Sequence, residues 1–445
     1  MKRINPKVYL WASPLFCIDP ERSHYHYQFI KNDNKRNYIF SAFKFFLRSS
    51  LSGLKKIFNK KIDGTRFIDK EDSNFVIYSP KVFLDLINNK CSYFPNAPKN
   101  ISYFIVDEKV CIKKNTFRIF FKLFMQISPF FWDFIRDENV SKKITLTFIY
   151  LSYFFSLEVI SHYYLAINIS KICILKNKLK HICLHEMHPY SRIVYGVTEA
   201  YKVKSLTLQH AYIHKTRLLL NLREKTVQKF LPSIFYVWGK ESKNHLLHFG
   251  WPKDKIKLCA SERFFYSSYK KNYSNEEKTN KNLNLKDNKI FSILFVPSLL
   301  NLDYQLAIQS SSLIRKLYPN IDIYIKLHPS HKINIFGQIL ICIFSFKSIK
   351  ISKNISYDLK NKPLIFSYSS TAAYEAPFND CQSFFIPVMQ TETYESINKN
   401  EIISIVKKFV NGELVSEYSN PLYISLKRSI NFFGKKNESF FKLIN

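Results

Sequence analysis

The sequence predicts an α/β protein with two doubly wound domains that face each other across a cleft. Three observations support this prediction: the length of 445 residues, a strand–helix–strand pattern on each side of a low-complexity segment, and polar motifs directly after two predicted strands. With 46% hydrophobic residues, the chain is too long for a domain with one ordinary hydrophobic core and long enough for two such domains. We therefore expect a first domain at 1–268, a linker at 269–289, a second domain at 290–420, and a helix at 421–445 that crosses back to the first domain.

The segment before the linker contains one strand–helix–strand unit. Residues 181–186 are typical of a strand, 188–201 predict a helix, and 205–210 predict the next strand. We expect this unit to belong to a Rossmann-like domain with helical insertions. One insertion, 144–170, carries a single formal charge at Glu158, but serine, threonine and histidine interrupt it, so we expect one or two buried helices there and no membrane span.

The segment after the linker repeats the pattern. Residues 270–289 are rich in Lys, Asn, Glu and Ser, which have little to bury and indicate an exposed connection. Apolar runs then predict strands at 290–296, 321–327, 364–366 and 383–386, with helices at 303–317 and from 371 to 376. Strands that alternate with helices favour a parallel sheet, so this part is predicted to be a second Rossmann-like domain.

Two polar motifs follow strands of the second domain. Lys326-Leu327-His328-Pro329 comes after the apolar run 321–325, and Ser369-Ser370-Thr371 comes after 364–366. Ligands of open α/β sheets bind outside the carboxyl ends of the strands. A lysine, an imidazole, hydroxyls and backbone N–H groups at such a position can hold a phosphate. The residues that we expect in this nucleotide-sugar site are Lys326, His328, Pro329, Ser369, Ser370 and Thr371.

Each motif also has a purely structural explanation. His328-Pro329 is compatible with a simple turn, and Ser370 or Thr371 with a helix N-cap. Glu375 lies about one helical turn after Thr371, where its carboxylate can reach either a ribose hydroxyl or the turn itself. The order of the motifs favours binding for His328, and both roles stay open for Glu375.

The formal net charge of +33 limits the classes of partner. Such a field attracts anionic substrates, polyanions or membranes. Lysines are dispersed along the chain without a zinc finger, a helix-turn-helix or an aromatic RNA-binding motif, so we expect no nucleic-acid partner. Segment 40–62 places apolar side chains at helical spacing among basic residues, which predicts an amphipathic helix on an anionic membrane surface. An ordinary surface helix is the alternative.

The cysteines and the N-terminus indicate a cytoplasmic protein. The 8 cysteines form no CxxC pair, and several lie in apolar runs, so neither a zinc site nor a disulfide framework is expected. The apolar stretch 8–18 is broken by Pro14 and lacks a small-residue cleavage site, so no secretion signal is expected. We expect a cytoplasmic location, with peripheral attachment to the inner face of the cytoplasmic membrane through 40–62.

A series of short motifs carries a family resemblance. In chain order they are Leu208-Gln209-His210-Ala211, Phe235 to Lys240 with a Trp-Gly pair, Phe249-Gly250-Trp251-Pro252, Ala260-Ser261-Glu262-Arg263, Lys326 to Pro329, and Ser369 to Glu375. Their order resembles that of the bacterial surface-polysaccharide transferases of the GT-B class, which include polysialyltransferases, Kdo transferases and CDP-glycerol glycerophosphotransferases. Ala211 and Ala260 stand where that group has glycine, which restricts the backbone of those two turns.

The resemblance implies a glycosyltransferase of the GT-B class. It implies a CMP-activated acidic sugar, Kdo or a sialic acid, as donor, and an oligosaccharide or glycolipid of the bacterial surface as acceptor. It also implies substrate contacts by Gln209, Ser261 and Arg263. The positive charge suits an anionic donor and acceptor. No Asp-x-Asp motif stands out, and we expect neither a metal nor a cofactor.

Sugar transfer needs a group that takes the acceptor proton or stabilises the charged transition state. Glu186 and His210 end neighbouring predicted strands of the first domain. The resemblance favours Glu186, because polysialyltransferase-like enzymes use an acidic residue at a comparable strand end. His210 is the second candidate, because glycerophosphotransferases carry a working histidine in the Gln-His turn. For both residues, a hydrogen-bonded interior role is the alternative.

Two further functions stay open. One is a phosphotransferase that uses CDP-glycerol or CDP-ribitol. The other is a non-catalytic protein that binds a membrane or a polyanion on the same fold, because a fold alone does not define an activity.

Overall fold

The structure is a computed structural model, and the residues that it describes are 35–81, 84–85, 90–91, 94, 97–98, 100–111, 115–137, 139–184, 189–210, 213, 231–261, 292–297, 301–326, 349–352, 359, 362–368, 370–386, 394–413, 422–434 and 440–444. The chain divides into two compact units. The first comprises Met1–Trp238, Ser242–Arg263 and Asn437–Asn445, and the second comprises Gly239–Glu241 and Phe264–Lys436. The linker expected at 269–289 lies outside the described residues.

The first unit is built on a sheet of seven described strands. They are β1 (Lys61–Ile68), β2 (Phe75–Ser79), β5 (Ile101–Cys111), β6 (Lys180–Cys183), β7 (Ser205–Leu208), β8 (Ile234–Trp238) and β9 (Ile256–Cys259), in the spatial order β1-β5-β2-β6-β7-β8-β9. A separate antiparallel pair is formed by β3 (Leu84–Asp85) and β4 (Lys90–Cys91). In the main sheet β1 pairs antiparallel with β5, and the other pairs are parallel.

The second unit is built on a parallel sheet of five described strands. They are β10 (Ser292–Val296), β11 (Asp322–Lys326), β12 (Ile349–Ser352), β13 (Leu364–Tyr368) and β14 (Ser383–Ile386), in the order β12-β11-β10-β13-β14. This is the doubly wound order, with the chain running first to one side of β10 and then to the other. Phe366 stacks between Phe295 and Phe384, with ring centroids 5.4 and 5.7 Å apart, so aromatic contacts join three neighbouring strands.

The helices complete the two units. They are α1 (Lys35–Phe58), α2 (Thr116–Ile135), α3 (Val140–Phe155), α4 (Glu158–Leu175), α5 (Pro189–Ala200), α6 (Gly239–His248), α7 (Asn301–Leu317), α8 (Ala372–Glu375), α9 (Tyr394–Val410), α10 (Leu426–Phe433) and α11 (Phe440–Ile444), with 3₁₀ turns at Lys253–Lys255 and Ala376–Asn379. In the first unit, Phe131 of α2 stacks on Tyr150 of α3 at 4.1 Å, and Phe440 of α11 stacks on Phe94 at 5.1 Å.

The predicted α/β fold class is confirmed. Both units have sheets with parallel strands, and they are of the Rossmann-like kind that the GT-B architecture combines. The strand–helix–strand unit around α5 and the predicted strands β10, β11, β13 and β14 are present within three residues of their expected bounds. The sequence patterns did not predict the antiparallel edge strand β1, the edge strand β12 or the helix α9.

Three predicted helical segments differ from the observed helices in their bounds or in the number of helices. The helix expected at 40–62 is α1, which ends at Phe58, because Lys60 adopts a positive φ of 51° and the chain continues into β1. The single helix expected at 421–445 is instead the pair α10 and α11, since Gly434 with φ 80° follows the first of them. One or two buried helices were expected in 144–170, and the structure has two, α3 and α4, separated by Leu157 with φ 64°.

The described helices differ in how closely they approach the length and hydropathy of a membrane span. None of them is by itself long and apolar enough to cross a bilayer, whereas Lys143–Phe155 and Glu158–Leu175 pass that test together as a pair bent by 63°. Nine residues of α4 are buried inside the unit: Val159, Ile160, Ser161, Leu165, Ala166, Ile169, Ser170, Ile172 and Cys173.

Candidate functional site

The second sheet changes its winding direction between β10 and β13. From β10 the chain continues to β11 and β12 on one side of the sheet, and later to β13 and β14 on the other side. The position outside the carboxyl ends of the two central strands is the usual ligand position of such a sheet. Lys326 ends β11, and Ser370 and Thr371 follow β13, so the predicted residues flank this position from both sides.

Strand pairing places these residues at one level of the sheet. Phe295 pairs with Ile325, and Val296 pairs with Ser367. Since Lys326 follows Ile325 and Val296 follows Phe295, Lys326 and Ser367 lie level on strands that are two spacings apart, or about 10 Å. Lys326 and the end of β13 therefore lie at the same edge of the sheet, with the strand β10 between them.

Hydrogen bonds fix the backbone after β13. The Ser367 hydroxyl donates to the Ser370 carbonyl oxygen at 2.9 Å, and the Ala372 N–H donates to the Ser370 hydroxyl at 3.5 Å. Ser370, Thr371 and Glu375 are half-buried. A hydroxyl that accepts one hydrogen bond keeps its own proton for another partner, so Ser370 retains the capacity to donate to a ligand oxygen.

Tyr374 anchors this turn in the second unit. It is fully buried, its ring stacks on Phe432 with centroids 4.1 Å apart, and its hydroxyl donates to Glu241 Oε1 at 3.3 Å. Arg428 Nη2 lies 3.5 Å from the same carboxylate oxygen, and the Arg428 guanidinium carbon lies 5.8 Å from the centre of the Tyr374 ring. Because Tyr374 directly precedes Glu375, this cluster sets the backbone position of Glu375. No sequence motif around Glu241 or Arg428 indicates that these residues belong to this cluster.

Several predicted residues lie outside the described ones. They are His328, Pro329 and Ser369 of the second unit, and Glu186 and Arg263 of the first. Their roles stay predictions from the sequence. Lys326 is described and half-buried, at the end of a strand whose residues alternate between buried and half-buried.

The carboxyl edge of the first sheet carries the other predicted residues. Gln209 and His210 follow β7, and Ser261 follows β9. Because β6, β7, β8 and β9 are parallel neighbours, the backbone brings the ends of these strands to one edge. His210 is half-buried, and Ser261 is buried.

The Gln209 side chain has a structural role at this edge. Its side chain is fully buried, with Oε1 accepting from the Trp238 N–H at 2.7 Å and Nε2 donating to the Ser242 hydroxyl at 3.0 Å. These bonds connect the end of β7 to the end of β8 and to α6. A buried amide needs such partners, because an unsatisfied one is costly. The substrate contact that the resemblance implies for Gln209 stays a prediction.

A buried histidine cluster lies within the first unit. His181 Nδ1 is 2.7 Å from the Tyr78 hydroxyl, and His181 Nε2 is 3.7 Å from Cys173 Sγ. Burial lowers the pKa of His181 to about 3 and raises the pKa of Cys173 to about 12, since an apolar environment disfavours the charged form of each group. The cluster is therefore uncharged near neutral pH and serves the packing of β2, β6 and α4.

A cavity of about 440 Å³ lies elsewhere in the first unit, between β1, β5 and α4. Phe67, Phe104 and Asn168 contribute to its wall, and an ion pair of 2.5 Å joins Lys176 to Asp69 there. None of the predicted site residues with described positions lines this cavity. Among the residues that the structure describes, no group of three or more His, Cys, Asp or Glu is arranged to hold a metal ion.

The fold is similar to several solved structures. UDP-GlcNAc 2-epimerase from Neisseria meningitidis, bound to UDP-GlcNAc, is 15% identical, with a TM-score of 0.41 over 64% of this chain and 80% of that one. S. aureus MnaA with UDP is 13% identical, with a TM-score of 0.43 over 64% and 77% of the two chains. A point mutant of S. aureus TarM in complex with Fondaparinux, alpha-GlcNAc-glycerol and UDP is 12% identical, with a TM-score of 0.39 over 63% and 59%. No protein-family model and no curated protein matches the sequence.

Proposed function

We propose that the protein is a glycosyltransferase of the GT-B class that binds a nucleotide sugar at the carboxyl edge of the second sheet. One observation carries this proposal: Lys326 and the Ser370-Thr371 pair flank the point where the winding direction of that sheet changes. A lysine contributes the positive charge, and the hydroxyls contribute hydrogen-bond donors for the phosphate oxygens. His328 and Ser369, which closely neighbour these residues in sequence, are expected to complete the phosphate contacts.

The donor that we propose is a CMP-activated acidic sugar, Kdo or a sialic acid. Both the donor and a growing surface polysaccharide are anionic, which suits a chain with a formal charge of +33. The phosphate of the leaving nucleotide gains negative charge as the sugar–phosphate bond breaks. Lys326 and His328 would stabilise that charge more strongly in the transition state than in the ground state, which is the requirement for catalysis.

Glu186 is proposed as the group that takes the proton of the acceptor hydroxyl. It follows β6, where a carboxylate at the end of a parallel strand has the usual position of a catalytic residue in an α/β protein. His210, which follows the neighbouring strand β7, is the alternative base.

A second candidate function is transfer of a polyol phosphate from CDP-glycerol or CDP-ribitol. The observation that favours it is the Gln209-His210 pair at the end of β7, where Gln209 is held rigidly by Trp238 and Ser242. A rigid glutamine restricts the position of the histidine that follows it, as a base or nucleophile requires.

A donor panel tests the proposal. Purified full-length protein is incubated with CMP-Kdo, CMP-sialic acid, CDP-glycerol, UDP-GlcNAc or UDP-glucose in the presence of oligosaccharide acceptors, and release of the free nucleotide is measured. We expect acceptor-dependent release from a CMP-sugar that persists in EDTA. Release from CDP-glycerol alone would support the phosphotransferase, release from UDP-sugars alone would contradict the CMP donor, and abolition by EDTA with rescue by Mg²⁺ would contradict a metal-independent reaction.

A further inference from the structure

An apolar ridge covers the outward face of α1. Six large apolar side chains on this helix are between 38% and 82% exposed. They are Phe40, Phe43, Leu47, Leu51, Leu54 and Phe58. On a helix with 3.6 residues per turn these positions fall within a stripe about 80° wide, and they extend for about 27 Å along the axis. A contiguous exposed apolar surface of this kind marks an interaction site.

Basic side chains run along one edge of this ridge. Lys44, Arg48 and Lys55 are exposed and lie next to the stripe on the helical projection. The helix Lys35–Phe58 contains six basic residues and no acidic one. The surface is therefore both apolar and cationic.

The opposite face of α1 is fixed to α3. Phe46 contacts Phe148 and Phe155 with ring centroids 5.8 and 5.5 Å apart, and Lys56 donates to the Ser156 carbonyl oxygen at 3.0 Å. Phe43, at the edge of the ridge, also contacts Phe148 at 5.3 Å. Gly53 permits the close approach, because an added Cβ would overlap the Phe155 carbonyl oxygen. The ridge is thus held outward by packing on its other side and does not depend on a partner for its helical form.

A second helix that packs on α3 shows the same combination. On α2 the exposed apolar residues Phe117, Phe121 and Met125 recur every fourth position, with exposed Arg118 and Lys122 between them. The pairing of apolar and basic side chains therefore occurs on two helices of the first unit.

We infer that α1 attaches the protein to the surface of an anionic lipid bilayer. A bilayer supplies apolar chains for Phe40, Leu51 and Phe58 and negative headgroups for the basic edge. A nucleic-acid backbone would satisfy the basic residues but would leave the apolar ridge without a partner. A second copy of this helix would bring basic edges together without any acidic residue of α1 to pair with them.

Vesicle sedimentation with the full-length protein tests this inference. We expect binding to vesicles of phosphatidylcholine mixed with phosphatidylglycerol, release as the salt concentration rises, and little binding to phosphatidylcholine alone. The triple variant Lys44→Gln/Arg48→Gln/Lys55→Gln should weaken binding at least about tenfold, because each basic residue near the surface contributes separately. The matched control Lys316→Gln/Lys407→Gln/Lys408→Gln removes the same number of exposed charges from the second unit and should leave binding nearly unchanged.

A second pair of variants tests the contribution of the apolar ridge to vesicle binding. Leu51→Ser/Leu54→Ser should weaken vesicle binding, whereas Leu317→Ser/Leu426→Ser, which changes two similarly exposed leucines of the second unit, should not. Circular dichroism checks that each variant is folded. Equal effects of ridge and control variants, equal binding to neutral vesicles, or a lipid-free dimer that Leu51→Ser/Leu54→Ser dissociates would overturn the inference.

Discussion

The carboxyl edges of the two sheets carry similar polar residues in different surroundings. At the first edge, Gln209 is fully buried and both ends of its amide bind groups of the same unit. At the second edge, Lys326, Ser370 and Thr371 are half-buried, and Ser370 keeps a hydroxyl proton for donation. Burial obliges a polar group to bind within the protein, whereas partial exposure leaves it accessible to a ligand. The comparison therefore distinguishes residues that stabilise the carboxyl edge of a sheet from residues that are accessible to a ligand there.

The largest effect is expected at Gly239, the first residue of α6. Its φ is +62°, and an added Cβ would overlap the Asn431 carbonyl oxygen, so Gly239→Ala combines a left-handed conformation with a backbone clash. We expect a loss of about 4 kcal/mol or more in the free energy of unfolding. Gly412→Ala is the matched control, because Gly412 has φ +74° with open space around it, and should cost only about 1–2 kcal/mol in urea titrations. Equal losses would contradict the close approach to Asn431.

The second prediction concerns Glu186, which comes three residues after β6 in the sequence. Glu186→Gln keeps the size of the side chain and removes its charge, so turnover should fall roughly a hundredfold while nucleotide binding stays nearly intact. Steady-state kinetics and donor binding by calorimetry measure the two quantities separately. If Glu186→Gln turns over normally and His210→Ala does not, the base is His210 and the phosphotransferase gains support.

Gln209→Leu should destabilise the protein by about 2 kcal/mol. The substitution leaves the buried Trp238 N–H and the Ser242 hydroxyl without their partner, which costs more than the hydrogen bonds themselves contribute. Urea unfolding measures the loss. Donor affinity of the folded variant then decides whether Gln209 also contacts substrate: an unchanged affinity assigns it a structural role alone, and a tenfold loss supports the contact that the resemblance implies.

Lys326 at the second edge, and His328 two residues after it in the sequence, should affect donor binding. Lys326→Met or His328→Ala should weaken donor affinity or turnover at least about tenfold, equivalent to about 1.4 kcal/mol, in variants that remain folded. Donor titration and urea unfolding of the same samples provide the two measurements. Wild-type donor affinity in both folded variants would remove these residues from the donor site.

The smallest effect is expected from pH. The pKa of His181 is about 3 in the folded protein, below its ordinary value near 6.5, so the unfolded chain takes up a proton that the native protein does not. Stability should therefore fall as the pH drops below about 6.5, by about 1 kcal/mol between pH 6 and pH 5. Tyr78→Phe/His181→Leu removes both polar partners and should reduce this slope in urea titrations. An unchanged slope would show that other groups cause it.

The sequence determined much of the second unit. β10, β13 and β14 are buried along their whole length, so they appear in the sequence as continuous apolar runs, and the polar residues that follow two predicted strands were recognisable for the same reason. The edge strand β12 was not predictable, because only one of its four residues is buried and its pattern is mixed. The bounds of α1 were missed at both ends: the helix begins at Lys35 and not at 40, and it ends at Phe58 although the basic and apolar spacing continues past the residue where the backbone turns.

Only the tertiary structure decided which residues meet. Tyr374 binds Glu241 across 133 positions of the chain, and Arg428 reaches the same carboxylate across 187. Gln209 likewise forms a hydrogen bond with Ser242, 33 positions further along the chain, so the sequence around Gln209 does not indicate its structural role. The apolar spacing of α1 was visible in the sequence, but the choice of which face packs on α3 and which faces outward was not. Local propensity and periodicity depend on neighbours within a few residues, whereas burial and hydrogen-bond partners depend on strand order and packing between distant segments.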